Sequence, residues 1–137
     1  MEWQDALMRF LLDSDTCIFA LRDNLNVMQK LIQLPTSQWG ISSLTAFELE
    51  RGVARRLRTD VAEQTAKFVE AARVVEFGRA QARHAAEIEQ HLIKTGKSAG
   101  VVDVLIAAHA LSLGLTLVTN NTKHFENVPG LTLENWV

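Results

Sequence analysis

Residues 101–119 read VVDVLIAAHALSLGLTLVT. From Val101 to Leu113 the run is apolar almost all round, which predicts a buried helix. Gly114 is placed to close that helix as its C-terminal glycine. Leu115–Thr119 then reads as a short strand, and Asn120-Asn121 opens a loop. A buried helix that turns directly into a strand is half of a repeating helix–strand unit.

The alternation continues outward in both directions. Arg9–Leu12 reads as a strand, broken by Asp13-Ser14-Asp15-Thr16, with a helix from Thr16 through CIFAL. Asn24–Leu34 carries Leu25, Met28, Leu31 and Ile32 at helical spacing and stops at Pro35. Trp39–Ser42 is a second strand. Ser43 opens a helix to about Arg58, with Leu44, Phe47, Ala54 and Leu57 on one face and Arg51, Arg55, Arg56 and Arg58 on the exposed side. A helix from Thr59-Asp60 through Ala72, a strand at Val74–Phe77, a long helix at Arg79–Lys94 and a last strand within LTLEN complete the order. Strands alternating with helices imply an α/β fold, a central parallel sheet with helices on both faces. Ligands of such sheets bind beyond the carboxyl ends of the strands.

The 137 residues fit one domain, and 47% hydrophobic with 22% charged residues excludes a disordered or fibrous chain. Lys plus Arg number 14 against 16 Asp plus Glu, so nucleic-acid binding needs a local basic patch. The single cysteine, Cys17, sits in an apolar stretch and suits a reducing compartment. No apolar run is long enough to span a membrane, and the acidic N-terminus lacks a secretory pattern, so a cytoplasmic protein is expected.

Asp13, Glu48, Asp103 and Asn121 are far apart in the chain, yet all are expected at or near the same sheet edge. Singly, each has a plain reading. Asp13 suits a turn or helix cap, Glu48 a partner for Arg51, and Asp103 a first-turn acid facing the helix dipole. Brought together, the three carboxylates are expected to repel one another, and a hard divalent cation relieves that repulsion.

These residues carry a resemblance. LLDSDTCIFAL (11–21), ISSLTAFELERGV (41–53) and DVLIAAHALSLGLTLVTNNTKHFENVPGLTLENW (103–136) resemble the PIN domain, and within it the VapC-type ribonuclease toxins of bacterial toxin–antitoxin pairs. The resemblance runs from Met8 onward, leaving 1–7 as an expected N-terminal extension, 8–137 as the PIN domain and Met8 as a candidate start. It implies a three-layer PIN-like fold and a metal-dependent endoribonuclease that cuts RNA, with tRNA a candidate, through a metal-activated water. It also implies Mg2+ or Mn2+ at Asp13 and Asp103, Glu48 completing the pocket, a homodimer, and a cognate antitoxin that covers the site.

The chain departs from the family pattern in places. Asn121 stands where many members keep a fourth acid, and His124 stands where close relatives with TNNT often keep one. Asp15 is expected to cap the loop rather than add an acid, and with Thr119 it supports the catalytic set Asp13, Glu48, Asp103 and Asn121. Val101-Val102 alter the pocket's lip. These changes leave open a weakened domain that binds RNA or protein without cutting.

Arg51 and Arg55 are the candidate RNA contacts, against the plain reading of a solvated face. His84, His91, His109 and His124 show no zinc spacing, and His109 reads as a satisfied, partly buried residue. No Gly-rich phosphate loop or nucleophile elbow is present. A response-regulator receiver would need an Asp after a middle strand and a Lys after a later one, and VVEFG and LVTNN supply neither.

Overall fold

The computed structural model describes residues 8–55 and 59–137. The expected extension at 1–7, and Arg56, Leu57 and Arg58, which the sequence places at the end of the helix opened by Ser43, lie outside the described residues. The order is β1 (Phe10–Leu12), α1 (Ser14–Leu21), α2 (Leu25–Gln33), β2 (Trp39–Ser42), α3 (Ser43–Arg55), α4 (Thr59–Ala71), β3 (Val74–Val75), α5 (Arg79–Lys94), α6 (Val101–Leu113), β4 (Thr116–Val118) and β5 (Leu133–Glu134). Single 3-10 turns at Thr36–Gln38 and Thr122–His124 lead into β2 and follow β4.

Among the described residues the sheet has five strands, all parallel, in the order β3-β2-β1-β4-β5. Leu11 faces Gly40 on one side and Leu117 on the other. The two-residue period of a strand sorts the core. Leu11 packs with Ala85, Ile88, Leu92 and Ile106 of α5 and α6. Phe10 and Leu12 pack with Cys17, Val27 and Leu49 of α1–α3 on the opposite face. Three layers result. The chain leaves β1 toward β2 and β3, then crosses back to β4, so the order reverses at β1 and β4. An open parallel sheet offers its crevice at such a reversal.

α6 is buried at Val104 and from Ile106 to Ala110, and Gly114 ends it with φ 67, a left-handed conformation that costs a side chain strain.

Three expectations are corrected. The strand read over 74–77 pairs only at Val74 and Val75, because the Phe77 N–H turns to the Ser43 hydroxyl at 3.0 Å. α3 seats itself through Thr45 and Leu49 rather than Phe47, which is 60% exposed. On α2, Val27 is the buried anchor, while Leu25 and Ile32 face outward.

Candidate active site

Asp13 follows β1 at the reversal point. Its N–H donates to the Val118 carbonyl of β4 at 3.0 Å. Its Oδ1 accepts the Thr16 N–H at 2.8 Å, which makes Asp13 the N-cap of α1. The cap expected of Asp15 therefore belongs to Asp13. The Thr119 hydroxyl stands close enough to the Asp13 carboxylate to lower its pKa, and it accepts the Asn121 N–H at 3.0 Å. Thr16 ties the same corner to β4 by donating to the Val118 carbonyl at 3.1 Å.

Burial raises the pKa of Asp13, and those hydrogen bonds recover only part of the cost. Glu48, in the second turn of α3, is also raised by burial, with the Ser14 hydroxyl and the Arg51 guanidinium pulling it down. Ser14 went unread in the sequence. Its only signal was a hydroxyl beside Asp13. Asp103, in the first turn of α6, is raised by burial, while His124 pulls it back. The His124 Nδ1 lies 3.5 Å from the Asp103 Oδ2.

Asp15 links these groups. Its charge raises the pKa of Asp13, Glu48 and Asp103 alike. Freed from capping, its Oδ2 accepts the Asn121 amide at 2.6 Å, across the gap between α1 and the loop after β4. Asp13, Asp15, Glu48, Asp103, Asn121 and His124 thus gather at the carboxyl ends of the strands. Arg51 reaches this group electrostatically through Glu48, and Arg55 lies further along α3, exposed to solvent.

Among the described residues, no three His, Cys, Asp or Glu side chains are close enough to cage a metal ion by themselves. The donor chemistry nonetheless fits a hard cation. The donors are carboxylate oxygens, partly desolvated and mutually repelling. Mg2+ takes one or two carboxylates and keeps waters or substrate phosphates for its other positions.

An apolar groove of about 570 Å³ opens beside the acids. Ile18 and Leu21 of α1, Glu48 and Leu49 of α3, and Val61 and Thr65 of α4 line it. Elsewhere the chemistry is quiet. Cys17 is fully buried, and burial pushes its thiol up and out of reach. His109 is fully buried, not partly as expected. Its Nδ1 lies 2.8 Å from the Ser42 hydroxyl, while its Nε2 lacks a hydrogen bond of good geometry. No helix among the described residues is long and apolar enough to cross a membrane.

The PIN domain family model matches residues 10–131. The tRNA(fMet)-specific endonuclease VapC of Salmonella typhimurium is 34% identical over 131 residues, spanning 95% of this chain and 99% of that protein. Ribonuclease VapC2 of Haemophilus influenzae is 32% identical over 136 residues, spanning 96% and 100%. The toxin–antitoxin complex VapBC2 of Rickettsia felis, solved on a promoter DNA fragment, contains a similar chain. It matches with a TM-score of 0.85 at 29% identity, covering 95% of this chain and 100% of that one. Fold, acidic rim and relatives agree: this chain belongs to the PIN domain family, among its VapC ribonuclease toxins.

Proposed function

We propose that the chain is a divalent-metal-dependent endoribonuclease that cuts RNA in the cytoplasm, acts as a homodimer and is held in check by a cognate antitoxin. The observation that carries this reading is the meeting of Asp13, Asp15, Glu48 and Asp103 from three separate elements, with the Asp15 charge close enough to raise the pKa of the other three. Asp13 and Asp103 would hold Mg2+ or Mn2+, and Glu48 would complete the pocket. Such an ion supplies an acidic water and positive charge for the phosphodiester's developing negative charge.

The chain's own residues prepare the site. Thr16 and Thr119 fix the Asp13 carboxylate, Ser14 orients Glu48, and Asn121 holds Asp15 toward the pocket. Arg51 and Arg55 draw the phosphate backbone onto α3. The apolar groove beside Glu48 offers a seat for an antitoxin segment. A tRNA substrate is favoured by the named activity of the Salmonella typhimurium relative.

The test is incubation of purified protein with total tRNA, in Mg2+ or in EDTA, followed by mapping of the RNA ends. Cuts at a defined site in Mg2+ alone, absent in Asp13→Asn, support the reading. Persistent cutting in EDTA or in the variant refutes it. A second reading, binding without cutting, is favoured by His124 pairing with Asp103 and by the neutral Asn121. Stable RNA binding with intact ends would select it.

A further inference from the structure

Phe47 immediately precedes Glu48 on α3, and it is 60% exposed. Its outward position has no folding rationale, since Thr45 and Leu49 anchor α3. The Arg51 guanidinium lies over the Phe47 ring, 5.2 Å from its centroid. The same guanidinium is close enough to Glu48 to lower its pKa. Phe47, Arg51 and Arg55 follow one another at i, i+4 and i+8, so they form one stripe on α3. Glu48, Leu49 and Gly52 turn instead into the apolar groove, which Phe47 and Arg51 do not line. A polypeptide ligand has its apolar seat in that groove. The outer stripe offers something else: a flat aromatic face, a planar cation and a further exposed arginine, at the edge of the acidic pocket.

Resting on the ribonuclease reading above, we infer that Phe47 and Arg51 form a stacking platform for an unpaired RNA base, beside the pocket that receives the neighbouring phosphodiester. Aromatic rings and guanidinium planes are the surfaces on which splayed-out RNA bases stack. Double-stranded RNA keeps its bases stacked on each other, so the platform selects unpaired substrate. Arg55 lies one turn further on and faces the backbone phosphates.

The test uses the full chain carrying Asp13→Asn to block cleavage, with fluorescence anisotropy on a short labelled single-stranded RNA and on the same sequence as a duplex. Phe47→Ala is expected to weaken single-strand binding about tenfold, with little change in duplex binding. Phe47→Trp restores the affinity. Arg51→Lys keeps the charge but loses the planar stack, so it weakens binding as Phe47→Ala does. Unchanged single-strand affinity in Phe47→Ala, or harmless Arg51→Lys, overturns the platform and leaves the ribonuclease reading standing. A shift in oligomeric state on Phe47→Ala with RNA affinity unchanged overturns it in favour of a contact between copies. A parent that binds no RNA overturns both. Phe47 is exposed, so thermal melts of its variants match the parent.

Discussion

Asp13 caps α1 through its Oδ1 while only 9% of its surface meets solvent. Its pKa in the folded chain is raised above the ordinary 3.8. Below the ordinary value both states carry the proton. As pH rises through the folded pKa, the folded state must ionise a buried group that the unfolded chain ionises freely, and stability falls. At neutral pH, without a cation, the carboxylate therefore weakens the fold. Asparagine caps a helix nearly as well, so Asp13→Asn is expected to raise the Tm in EDTA at neutral pH while abolishing cleavage. A thermal melt beside a cleavage assay checks both. Asp15→Asn removes the charge that raises the three neighbouring acids. Its stability in EDTA should then fall less steeply as pH rises through the carboxylate range, as melts across a pH series would show. The choice between Asp13 and Asp15 as the cap was not legible in the sequence. The two lie two residues apart with the same capping chemistry, and only the Thr16 N–H distinguishes them.

The tie between α6 and β2 works at the level of elements. Ser42 ends β2 and accepts the Leu44 N–H at 3.0 Å, while its hydroxyl also meets the buried His109 of α6. The helix carrying Asp103 is thus fastened next to the start of the helix carrying Glu48. Burial lowers the pKa of His109 below its ordinary 6.5. As pH falls below that value the unfolded chain takes up a proton that the folded chain refuses, so the native state loses stability toward the folded pKa. His109→Gln is expected to flatten that loss, read from urea unfolding at neutral and mildly acidic pH. Gly40 shows how closely β2 packs: a Cβ there would meet the Met8 Cε and lie 2.9 Å from the Arg73 carbonyl. Gly40→Ala should cost about 1–3 kcal/mol, measurable by the same unfolding. Residue patterning announced the buried helix, its glycine stop and the strand that follows, because burial on every side leaves an unbroken apolar run. It misjudged Phe47, Leu25 and Ile32, because periodicity shows that apolar residues share a face, not which face meets the core. The Ser42–His109 contact joins residues 67 apart and left no local trace.

For the whole molecule, a net charge of -2 leaves RNA binding to local features. The parallel order places β1 and β4 at the reversal and delivers the acids there, although Asp13 and Asp103 lie far apart in the chain. The central claim is that these acids share one divalent cation. Calorimetric titration of Mn2+ into the purified chain and into Asp103→Asn tests it most directly. Saturable binding by the parent, at least about tenfold weaker in the variant, is the predicted result. Absence of binding by the parent, or equal binding by both, would contradict it.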